Sequence, residues 1–126
     1  MKRTYVQCAE LVLASEADPA APGGAVTLAL CGSWYHEGPC RWPHETSAVW
    51  DDRRGQVRVV FVADEEEETS VRTEIDRALA GGECVGPDGS TSRWEVQEQG
   101  AGALSEVDEA WGVKIAETYG AEGHVL

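Results

Sequence analysis

Residues 31–44 read CGSWYHEGPCRWPH and place Cys31, His36, Cys40 and His44 within one short stretch, in a chain with only four cysteines and three histidines. Thiolate sulfur and neutral imidazole nitrogen are the donors zinc prefers, and four of them complete a tetrahedron. The spacing, Cys-x4-His-x3-Cys-x3-His, departs from the Cys-x2-Cys pairs of zinc fingers and ribbons. Pro39 and Pro43 exclude a continuous helix through the segment, and Trp42 precedes a proline, which favours extended backbone. A loop stiffened by two prolines loses less entropy on ordering, which suits a preformed site. The expected metal is therefore zinc, held by Cys31, His36, Cys40 and His44.

The elements around this loop extend the candidate set. Thr4 to Ala14 reads as a first strand and Ala25 to Cys31 as a second, joined by the turn-rich segment SEADPAAPGG. As an antiparallel hairpin they align Leu13 with Val26, Leu11 with Leu28 and Ala9 with Leu30 on one apolar face. That register sets Cys8 opposite Cys31, which makes Cys8 a fifth candidate ligand, or the partner of Cys31 in a redox pair. Five candidates favour a closed structural site. If only three bind, a metal-bound water would take the fourth position and Glu37 or Glu45 would be the adjacent base, giving a small zinc-dependent hydrolase or lyase. Trp34, Trp42 and Trp50 would wall the site or cover a small core beneath the loop.

Further along, Thr46 to Trp50 and Gln56 to Ala63 flank DDRRG and form a second hairpin with Gly55 at its turn. Val57, Val59 and Phe61 share one face of the latter strand, with Val60 and Val62 on the other, so it is central. Val71, Ile75, Ala78 and Leu79 form a helical stripe preceded by the acids of 64–68 and followed by Gly81 and Gly82. Arg93 to Glu98 is a short strand, and Cys84 lies in the loop before it. Ser105 and Asp108 have capping-box spacing, opening a helix, with a short strand expected after Gly112. The fold class is α+β: residues 1–126 as one domain, a mostly antiparallel or mixed sheet of four to five strands in two hairpins, one or two helices on one face, and a metal-binding loop at 31–45 after the second strand.

Composition limits the partners. With 23 acidic against 10 basic residues the net charge is −13, which disfavours nucleic acid and anionic membranes alike. An acidic face for a protein partner suits the charge, and mimicry of nucleic acid is a weaker alternative. The start, MKRTYVQCAELVL, has a basic end, but Gln7 and Glu10 interrupt the apolar core a signal peptide needs. A cytoplasmic bacterial protein with reduced thiols is the expectation, and clustered cysteines then read as metal-binding.

Overall fold

The computed structural model describes residues 2–31 and 42–125, the side chains of 116–125 excepted. His36, Cys40, Trp34 and Glu37 lie outside the described residues. In chain order the elements are β1 (Lys2–Leu13), α1 (Ala21–Cys31), β2 (His44–Asp51), β3 (Arg54–Asp64), a 3-10 turn (Glu65–Glu67), α2 (Glu68–Ala80), β4 (Glu83–Val85), β5 (Thr91–Ala101) and α3 (Glu106–Val125). The five strands form one antiparallel sheet in the order β2-β3-β1-β5-β4. Strand β3 lies between β1 and β2, and β1 lies between β3 and β5, so two β-α-β units are interleaved. This is the split β-α-β plan of ferredoxin-like sheets, with β4 added at one edge. Such a sheet hosts many unrelated activities and assigns none.

The core forms between one face of this sheet and the helices α1 and α2. Ala9, Leu11 and Leu13 of β1 alternate inward and meet Val57, Val59 and Phe61 of β3, Val26 and Leu30 of α1, and Val71, Ile75 and Leu79 of α2. The stripe expected on α2 is the buried one, and the chain leaves that helix through Gly82 at φ +70, a conformation glycine adopts without steric cost. Strand β3 is central as expected: Val60 and Val62, on its other face, are buried too. The turn between β2 and β3 falls at Asp52 and Arg53, with Asp52 at φ +57, and not at Gly55, which is already in β3 and pairs with Trp50. Trp42 and Trp50 pack partly buried against the core, the covering role expected of them.

Three expectations change. Ala25 to Cys31 is not a strand but the body of α1. Val26 and Leu30 fall one helical turn apart and are both buried. The start is set by Asp18, whose carboxylate accepts the Ala20 N–H at 2.9 Å, and by Pro22 in the first turn. In a stretch of small apolar residues a period of two and a period of 3.6 both fit, and the length of the run does not separate them. The first hairpin therefore does not exist; the sheet's hairpins are β2–β3 and β4–β5. Second, α3 runs on without a strand after Gly112 and packs on the opposite face from α1 and α2, over Thr4 and Arg58. Gly112 permits that approach: a methyl group there would overlap the Thr4 hydroxyl. Third, Cys84 is not a loop thiol; it sits in β4, buried in the core, where desolvation pushes its thiol up.

Candidate functional site at the junction of α1 and β2

Helix α1 ends at Cys31 and β2 begins at His44, and the fold brings these two ends together. Cys31 Sγ lies 3.8 Å from His44 Nδ1. The same nitrogen is 3.1 Å from the Trp42 carbonyl oxygen, and His44 Nε2 is 3.2 Å from Thr27 Oγ1 on α1. Thr27 and Cys31 are one helical turn apart, so both face the strand that carries His44. Trp42 Nε1 donates to Glu67 Oε2 at 3.1 Å, which ties the segment entering β2 to the acidic turn before α2. Cys31 is disulfide-bonded in this structure.

Of the five expected ligands, Cys31 and His44 come together, and His36 and Cys40 lie outside the described residues. Cys8 is elsewhere. Its partners across the sheet are Arg58 on β3 and Gly100 on β5, not Cys31. Alternation along β1 puts Cys8 on the face covered by α3, whereas α1 packs on the other, so the sheet separates the two sulfurs. The register that joined them rested on a hairpin the chain does not form. Cys8 is a free, half-buried thiol pushed up chiefly by desolvation, which suits packing rather than metal binding. Among the described residues no group of three or more His, Cys, Asp or Glu side chains is placed to hold a metal ion.

Glu45 follows His44 but points to the opposite face of β2. There, with Ser47, Arg58, Val60, Val107, Asp108 and Trp111, it lines a cavity of about 200 Å³ beside α3. Adjacency in sequence does not make it a base for His44.

Two polar clusters escaped the sequence reading. At the α2–β1 contact, Gln7 is almost fully buried; its amide donates to Asp76 Oδ1 at 2.7 Å and accepts from Arg72 at 2.6 Å. Arg72 also donates to the Val6 carbonyl oxygen at 2.7 Å and to Glu68 at 2.8 Å, and lies over the Tyr5 and Phe61 rings. A lone Gln on an apolar strand is the only sequence signal of this network. At the α3–β3 contact, Arg58 makes a two-pronged ion pair with Asp108 and donates to the Ala103 carbonyl oxygen at 2.7 Å. Asp108 Oδ2 accepts the Ser105 N–H at 2.8 Å, while Ser105 Oγ accepts the Asp108 N–H at 3.1 Å, the expected capping box. The Arg58 guanidinium holds the Asp108 carboxyl well below the usual carboxylate range. The hydrogen bonds of both clusters run between a helix or its entry and the sheet, so they fasten helices to the sheet.

No known protein family, curated protein or solved structure matches this chain. Among the described residues no helix is long and apolar enough to cross a membrane.

Proposed function

We propose that the chain is a small acidic metal-binding protein. In this reading zinc sits in a structural site built on Cys31 and His44 and completed by His36 and Cys40, and the protein acts through contacts with a protein partner. One observation supports the reading above the others: Cys31 Sγ and His44 Nδ1, from different elements, stand 3.8 Å apart. Sulfur and nitrogen bound to one tetrahedral zinc are separated by about 3.6 Å, given bonds of roughly 2.3 and 2.0–2.1 Å. The surroundings suit the ligand. With the ring proton on Nδ1, His44 donates to the Trp42 carbonyl and accepts from Thr27. With Nδ1 given to a metal, the proton moves to Nε2, and the Thr27 hydroxyl accepts it. A ring held through its other nitrogen is the usual support of a metal-bound histidine. A site at this junction would fix the connection from α1 to β2, and that is a structural rather than a catalytic service.

A second reading has its own observation, the disulfide at Cys31. In oxidised protein the Cys31 sulfur is held in that bond, and zinc requires its two-electron reduction to thiols by a dithiol or phosphine reductant. The hydrolase or lyase reading has no such support: of its two candidate bases Glu45 faces away from His44, and Glu37 lies outside the described residues.

The test starts from protein reduced with a phosphine and stripped of metal. Zinc is added, excess is removed, and bound metal, thiol reactivity and melting temperature are measured. The expected result is about one zinc per chain, thiols shielded until chelation, and a raised melting temperature. Both Cys31→Ser and His44→Ala should abolish retention. Zinc lost from the wild type on desalting, or kept equally by both variants, would remove the reading and leave the disulfide form as the functional state of the junction.

A further inference from the structure

The two edges of the sheet differ. The edge at β4 is three residues long, and its Glu83 is paired with Arg93 of β5. The edge at β2 is eight residues long, and among the described residues no strand lies beyond it. A long exposed edge is a template for pairing, which most monomers blunt with bulges, prolines or lysines. Strand β2 has none of these within its span: it reads HETSAVWD.

The alternation of its hydrogen bonds is fixed by the β2–β3 pairing. The Val62 N–H donates to the Pro43 carbonyl oxygen at 2.9 Å, and the register carries that pattern to Glu45, Ser47, Val49 and Asp51, which face β3. The main-chain groups of Thr46, Ala48 and Trp50 therefore point to the open edge. Two antiparallel copies of β2 can then pair only in registers that match these even-numbered residues with one another. Centred on Ser47, the register sets Thr46 against Ala48 of a second copy and Ala48 against Thr46, overlaps nearly the whole strand, and brings Trp50 opposite His44. Glu45 then opposes Val49. Centred on Ala48, it would set Glu45 against Asp51, like charge on like charge. Centred on Val49, it would overlap only the end near the turn. Two of the most exposed apolar side chains lie at or beside this edge, one on β2 and one on α3. Val49 and Val107 are each 78% exposed on the α3 side of the sheet, and Val107 lines the cavity that Ser47 also lines.

We propose that this chain forms a two-fold dimer through antiparallel pairing of β2 with β2 of a second copy, centred on Ser47, which joins the two sheets into one of ten strands. The partner is a second copy rather than a foreign extended peptide because the strand is complementary to itself: one register satisfies the open main-chain groups without opposing acids. Each copy carries a charge of −13, so association strengthens as salt screens the repulsion. The proposal does not rest on the metal reading, and its test leaves Cys31 and His44 untouched.

The experiment is sedimentation equilibrium of the full chain at low and high salt, joined to cross-linking of introduced cysteines. A dimer tighter at high salt is expected. Ser47→Cys should cross-link under mild oxidation, since directly opposed residues that share no hydrogen bonds have Cα atoms about 4.5 Å apart, within disulfide range. Val49→Cys should not cross-link, being offset from its own copy by four residues along the strands. Ala48→Pro removes an N–H that faces away from β3, so the monomer keeps its circular dichroism while dimerisation weakens by roughly tenfold or more. A monomer under every condition would overturn the proposal. So would a dimer indifferent to Ala48→Pro, or one that cross-links through Val49→Cys in place of Ser47→Cys.

Discussion

The chain fastens helices to its sheet at two junctions that differ in kind. At the α3–β3 junction, Arg58 and Asp108 are both ionised, share two hydrogen bonds, and are backed by the Ser105 cap and the Ala103 carbonyl. At the α1–β2 junction, Cys31, Thr27, His44 and the Trp42 carbonyl meet through neutral contacts of 3.1 to 3.8 Å. Hydrogen bonds between charged partners are roughly twice as strong as neutral ones. Such a junction holds a helix firmly to the sheet. The α1–β2 junction has no such ion pair, and once the Cys31 disulfide is reduced, an imidazole and a thiol stand there as donors that can take up a new partner. That is why it is the better candidate for a site.

The largest effect should follow loss of charge at the strong junction. Asp108→Asn keeps the shape but removes the ion pair and should cost about 2–4 kcal/mol in urea unfolding, because it strands a half-buried Arg58 and weakens the cap. A cost near that of an ordinary surface change would show that α3 is held by packing instead. The pH dependence gives the sign. Asp108 stays ionised in the folded chain where the unfolded chain takes up a proton. Its contribution is complete above about pH 5 and falls away as the pH drops through about 4 and below. The wild type should lose more stability over that window than Asp108→Asn does, and matching acid slopes would contradict the assignment.

Next in size is Gly112→Ala. Alanine is the better helix former, yet a methyl group at this position would overlap Thr4, so a net loss of about 1–3 kcal/mol is expected. A gain in stability would mean that α3 can shift on the sheet. The smallest effect belongs to the neutral junction. In reduced, metal-free protein, Thr27→Val should cost about 0.5–1.5 kcal/mol, one neutral hydrogen bond to His44. A cost as large as that of Asp108→Asn would erase the contrast between the junctions.

How much was legible follows from the range of each signal. The α2 stripe, the stop at Gly81 and Gly82, the central strand 57–62 and the Ser105–Asp108 cap are all decided within a few residues, and each formed where the sequence put it. The stretch 25–31 was not legible, because its six apolar residues and Thr27 satisfy either period, and the error carried Cys8 into a site it does not approach. The Gln7–Arg72 and Arg58–Asp108 contacts join residues 65 and 50 positions apart, and no local pattern announces them.

The sequence by itself determined the balance of charge, the apolar periodicity of the long elements, the helix cap, and the concentration of Cys and His between positions 31 and 44, because these are properties of neighbours along the chain. Only the tertiary structure decided which of these residues share a face. A sheet has two sides about 10 Å from the layers they meet, and strand order and register, set by burial of the whole apolar set at once, send Cys8 to one side and Cys31 and His44 to the other.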